Sequence, residues 1–229
     1  LYCNQVFVTD HVEQIVPEFL TLLHGVIDSA DIPLNVSRSY LQSDPEVKKI
    51  NRHITKKVAD KLDEMFRQDR KAFEDKWEHT GILIKYGMLS EDKFYDKAVK
   101  FCLYETVDNQ FFTFDEMLEN IKEKQTDKDG KTVALYTTDA DEQHSYIAAA
   151  QDRGYEVLKL DATLDSHFIN LLEQKMADKN ISFKRVDAET LDKLIDKDEK
   201  IESVLSEEQE TKVKAVSYTH LTLPTTLTV

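Results

Sequence analysis

The chain has 229 residues, 41% of them apolar, enough to bury a real core in one or two domains. Its 44 acidic residues outweigh 30 basic ones for a formal net charge of −14, which argues against a broad nucleic-acid footprint, since neutralising phosphates takes Lys and Arg in excess. No run approaches the roughly 20 apolar residues that span a bilayer. Cys3 and Cys102 stand far apart outside any zinc or redox spacing, so neither a disulfide framework nor a metal site is indicated and a reducing cytoplasm is the expected compartment.

Leu1 to Val8 is rich in aromatic and β-branched types and reads as a strand; with no initiator Met before it, the N-terminus is expected to be cut. From Val12 to Ile27, apolar residues including Val12, Ile15, Val16, Phe19, Leu20, Leu23 and Val26 recur at three- and four-residue spacings, which predicts a helix with Pro17 near its start. Around Pro33 the chain must be extended, so a short strand or loop delivers Ser37. Ser43-Asp44-Pro45 caps the next helix, whose stripe is Val47, Ile50, Ile54, Val58, Leu62 and Met65.

Between Asp69 and Phe101 the pattern predicts shorter helical pieces, with Phe73, Trp77, Ile82, Ile84, Met88, Phe94 and Phe101 as core anchors and Gly81 and Gly87 as breaks. A turn at Thr126 to Gly130 leads into an alternating series: strand Lys131 to Thr137, helix Asp141 to Arg153, strand Tyr155 to Leu160, helix Asp165 to Met176 and strand Ile181 to Val186. That is a small βαβαβ unit with a parallel sheet. Beyond Asp187 charge dominates, as in a helical linker. The expected fold class is α/β: a larger α/β subdomain over 1–67, a helical connector over 68–112, a small three-stranded subdomain over 113–190 and a linker over 191–215.

Residues 216–229 hold five Thr and none of the charged residues that fill the preceding chain. Val216 to Thr226 resembles the translated frame of a sequencing-library adapter, and the segment is left out of the expected fold.

No two of the five glycines stand at the spacing of a phosphate-binding loop, so the chain is not expected to cradle a nucleotide by itself. His11, His24, His53, His79, His144 and His167 are scattered without a metal spacing, and no nucleophile motif is present. One segment has residue types aimed at an anion. If Ser37 caps a helical turn, Arg38 sits at its positive end and Gln42 lies on the same face one turn on. Lys48, Lys49, Arg52, Lys56 and Lys57 then make the following helix locally basic. By pattern alone, an Arg after a serine cap is usually a surface residue and a basic run usually a solvated face.

The run Asp28-Ser29-Ala30-Asp31-Ile32-Pro33-Leu34-Asn35-Val36-Ser37-Arg38, followed by Leu41-Gln42, closely resembles the catalytic-loop signature of the heat-shock protein 90 middle domain. The similarity covers about residues 1 to 215 and is nearest the bacterial form. It implies a homodimeric, ATP-driven, stress-response chaperone in the cytoplasm. The N-terminal domain would hold ATP with magnesium, and the middle domain would contact unfolded clients and complete the ATPase site. Arg38 and Gln42 match the residues that approach the γ-phosphate, Arg38 acting electrostatically after the domains dock. Ser39-Tyr40 departs from the Glu of many relatives, so no capping box is expected there. The nucleotide domain and the dimerisation domain would lie outside this chain, leaving the fragment inactive alone. The competing reading is a client or co-chaperone docking module in which Arg38 is structural. A free-standing small-molecule domain is a third, disfavoured because Thr138-Asp139-Ala140 and Asp161-Ala162-Thr163 stand where glycines would be needed.

Overall fold

The computed structural model describes residues 1–8, 10, 15–21, 25–30 and 45–196, and all of them fall within one compact unit, Leu1–Asp196. The opening segment is a hairpin and not the single strand expected. β1 (Tyr2–Cys3) pairs antiparallel with β2 (Val6–Phe7), because Asn4 and Gln5 take positive φ angles of 49° and 66° and turn the chain back within two residues. Tyr2 donates its N–H to the Ile27 carbonyl at 2.7 Å and accepts from the Ser29 N–H at 3.0 Å.

That extended pairing also corrects the helix expected over Val12 to Ile27. Among the described residues of that span, helical structure is confined to a 3-10 turn at Glu18–Leu20. Pro17 ahead of it has an extended ψ of 139°, lacks an N–H to donate, and disfavours helical geometry at Val16. The periodicity marked burial in part: Ile15, Phe19 and Leu20 are in the core, whereas Val26 is 75% exposed.

The long helix α1 (Pro45–Gln68) runs as predicted, 24 residues and about 36 Å at 1.5 Å per residue. Val47 and Ile50 join Leu1, Ile15, Val8 and Ile27 in a small apolar cluster at its N-terminal end, while Ile54, Val58, Ala59, Leu62 and Met65 lie on the main core. α2 (Arg70–Glu74) starts at an Asp69 cap whose carboxylate accepts the Ala72 N–H at 3.0 Å. α3 (Trp77–Ser90) and α4 (Asp92–Ala98) complete the helical connector.

Gly81 and Gly87 do not break this connector; both lie inside α3. A Cβ on Gly87 would stand 2.7 Å from the Phe94 ring and 3.0 Å from the Phe19 ring, so the glycine serves close approach and not a turn. Phe19 and Phe94 meet with centroids 4.6 Å apart, Phe94, Phe101 and Phe73 continue edge-on, and Trp77 ends the series tilted against Phe73. Of the anchors expected here, Ile82 alone is on the outside, 44% exposed.

The hairpin β3 (Tyr104–Glu105) and β4 (Phe111–Phe112) leads into α5 (Phe114–Lys122), capped by a reciprocal Thr113–Glu116 box. The alternating series then forms as read: β5 (Thr132–Thr137), α6 (His144–Asp152), β6 (Val157–Lys159), α7 (Asp165–Lys175) and β7 (Ile181–Arg185). The sheet is parallel with order β6-β5-β7, so the first strand is central and buried on both faces. Val133 and Leu135 point into a core with Ile147, Ala150 and Val157; Ala134 points into the core shared with Phe168, Leu172 and the connector aromatics. The short α8 (Leu191–Leu194) closes the first of these, burying Leu194 and Ile195.

Candidate functional site

Arg38 and Gln42, the expected phosphate-facing pair, lie outside the described residues, as do the strand or loop expected around Pro33, the linker beyond 196 and the Thr-rich segment 216–229. Both flanks of the motif are described. On the upstream side, Asp28 accepts the Gln5 N–H at 3.1 Å and Ile27 joins the small cluster with Leu1 and Ile15; on the downstream side, Val47 of α1 enters the same cluster. Ile27 and Val47, on either side of the motif, therefore meet in one apolar cluster at the start of α1.

α1 presents Lys48, Lys49, Arg52, Lys56 and Lys57 to solvent, as the sequence predicted. The tertiary fold adds what spacing along one helix could not show. Lys93 and Lys97 of α4 come up against α1 and, with Arg52, Thr55, Lys56 and Glu91, line a pocket of about 260 Å³. Lys97 is salt-bridged to Asp60, and this ammonium is the first cause of the Asp60 carboxyl lying below its ordinary range. The Arg52 Nε donates to the Lys48 carbonyl at 3.0 Å, which orients its guanidinium along the helix.

Several ion pairs tie the connector to the small subdomain, among them Lys175 to Asp92 at 2.8 Å, and none was legible in sequence. Lys85 of α3 donates to Asp165 Oδ1 at 2.6 Å with both side chains buried, and Asp165 Oδ2 accepts the Ala162 N–H at 3.0 Å. Lys85 also lies 5.8 Å from the centre of the Phe168 ring. Beside them burial pushes the Cys102 thiol up to about 12, so it is a protonated core residue and not a nucleophile. Arg70 grips Glu116 through two bonds of 2.5 and 2.8 Å, reaches Glu74 at 2.9 Å and donates to the Phe111 carbonyl at 2.9 Å. Glu116 is held down at about 2, first by the Arg70 hydrogen bond.

The carboxyl ends of the parallel strands, where an α/β sheet usually takes a ligand, are filled by protein. The buried Gln143 accepts the Thr137 hydroxyl at 2.6 Å and the Thr138 N–H at 3.2 Å, and its amide nitrogen donates to Asp187 at 3.0 Å.

Comparison with known proteins gives these features a family. The family model described as Hsp90 protein matches residues 1–223, a span that runs past Val216. The chaperone protein HtpG of Porphyromonas gingivalis is 55% identical over 215 residues, covering 93% of this chain and 31% of the relative. HtpG of Bacteroides thetaiotaomicron is 56% identical over 211 residues, again 31% of its length, and HtpG of Rhodospirillum rubrum is 32% identical over 176 residues, 74% of this chain. The chain thus spans about a third of the length of the curated relatives it matches. Among solved structures, the middle domain of a Plasmodium falciparum heat shock protein superposes with a TM-score of 0.58 at 16% identity, over 82% of this chain and 72% of that one. With the family model matching nearly its whole length and the fold that of a middle domain, the chain belongs to the Hsp90 protein family.

Proposed function

We propose that this chain is the middle segment of an ATP-dependent molecular chaperone, one that contacts unfolded clients and supplies Arg38 to the γ-phosphate of ATP held, with magnesium, by an N-terminal domain elsewhere in the parent protein. Gln42 assists at the same phosphate, and the parent works as a cytoplasmic homodimer. The observation that carries the reading is the run from Asp28 to Arg38 with Leu41-Gln42, standing in a chain of the Hsp90 family.

The mechanism asked of the chain is electrostatic. A guanidinium is always charged and offers a planar fork of donors, which suits it to the charge that develops on a phosphoryl group in transfer. Such a donor must be held rigidly to act in the transition state. α1 begins at Pro45, three residues after Gln42, and Val47 packs it onto the same cluster that secures Ile27, which supports a preorganised base for the motif. Since the donor and the nucleotide lie on different domains, turnover waits on their docking, and clamp closure is coupled to hydrolysis.

The test is steady-state ATP turnover of the full-length chaperone built around this segment, comparing Arg38 with Arg38→Ala while ATP binding is measured separately. Loss of turnover by about tenfold or more with binding retained is the expected result. Unchanged turnover would overturn it and leave the segment a docking module for clients or co-chaperones.

A further inference from the structure

We propose that the pocket between α1 and α4 is a binding site for a small organic anion, a carboxylate or phosphate carried on an apolar ring or short chain. The cations come from two helices about forty residues apart in sequence: Arg52 and Lys56 from α1, Lys93 and Lys97 from α4. A solvated basic face needs only one helix, and it does not need a concavity. Here four cations converge on a hollow of about 260 Å³, with Glu91 the only carboxylate in its lining.

The charge there is only partly compensated. Lys97 is paired with Asp60, whose carboxylate also attracts Lys56, whereas Arg52 and Lys93 form no salt bridge among the described residues. In a chain of net charge −14 this is a local reversal of sign, and a positively lined cleft with low-dielectric walls concentrates anions. The exposed lining is largely apolar, although every lining residue is polar or charged, because the lysine and arginine stems and the Thr55 methyl contribute carbon surface. An apolar floor with convergent charged groups is the arrangement that holds small ligands, and this volume lies just below the roughly 300–1,000 Å³ usual for drug-sized ones. The occupant is therefore small, anionic at one end and apolar at the other. Inorganic phosphate satisfies only half of the site.

This inference is independent of the role of Arg38, and its test involves no ATP. Amide resonances of the full 229-residue chain would be followed during titration with phenyl phosphate, benzoate, inorganic phosphate and benzyl alcohol. Saturable shifts centred on Arg52, Thr55 and Lys93 with phenyl phosphate or benzoate are expected, and the stronger of the two identifies the head group. Inorganic phosphate and benzyl alcohol should each bind at least about tenfold more weakly, since each lacks one half of the interaction. Arg52→Glu with Lys93→Glu should weaken phenyl phosphate by about tenfold or more at an unchanged melting temperature, while Lys193→Glu, on α8, leaves it as it was. Absence of saturable shifts at these residues, equal binding of inorganic phosphate, or indifference to the double charge reversal would each overturn the proposal.

Discussion

Replacing Lys85 with Met tests whether the buried ion pair is the clasp between connector and small subdomain. Met keeps most of the length and apolar stem of Lys but has no ammonium, so the Asp165 carboxylate, its side chain 3% exposed, keeps only the Ala162 N–H at 3.0 Å. Stranding one charge of a buried pair costs about 3–5 kcal/mol. At roughly 2–4 °C per kcal/mol for a domain of this size, the melting temperature should fall by roughly 6–20 °C. Urea unfolding followed by circular dichroism reads the same quantity from the midpoint at constant m. Lys85→Met with Asp165→Leu removes both charges and should recover most of the loss, because a well-packed apolar pair of similar volume is close to neutral. A single-variant loss below about 1 kcal/mol, or a double variant no better than the single one, would refute the reasoning.

Three further outcomes follow from the packing and the titrating groups. Gly87→Ala should destabilise by about 1–3 kcal/mol in thermal melts although alanine favours helices, because its Cβ would stand 2.7 Å from the Phe94 ring. Glu116 has a folded pKa depressed from 4.5 to about 2, so the stability it adds is present above pH 4.5 and lost as pH falls toward 2; the difference in urea midpoint between wild type and Glu116→Gln should shrink across that window. Cys102, buried with its thiol pushed up to about 12, should resist a disulfide reagent at pH 8 in the folded protein and react once urea unfolds it.

The parallel sheet was legible because strands buried on both faces are written as apolar runs, as in Val133-Ala134-Leu135, and because Gly130, at a φ of 77°, ends the turn read ahead of the first strand. α1 was legible for the opposite reason: its solvent face is so heavily charged that the apolar stripe stands out. The failures share a cause. Periodicity over Val12 to Ile27 picked out Ile15, Phe19 and Leu20 as buried and missed that Val26 is exposed, while the pairing of Ile27 and Ser29 with Tyr2 set the backbone there, and nothing local announces that competition. Gly81 and Gly87 looked like breaks because a glycine used for close helix packing has the same letter as one used for a turn. Lys85 and Asp165 lie 80 residues apart, so no spacing rule joins them. The same holds for the α4 lysines beside Arg52. The motif containing Arg38 and Gln42 was recognised by its likeness to a family and not by local physics, which alone favoured an ordinary surface arginine.

The core shared across the sheet also sets a delay during synthesis. Tyr104 stacks on Phe168 at 6.2 Å, and the connector aromatics belong to the same cluster, yet Phe168 leaves the ribosome 64 residues after Tyr104. At roughly 5–20 residues per second the wait is about 3–13 s. Throughout it the Tyr104 ring lacks the Phe168 partner that covers it in the fold.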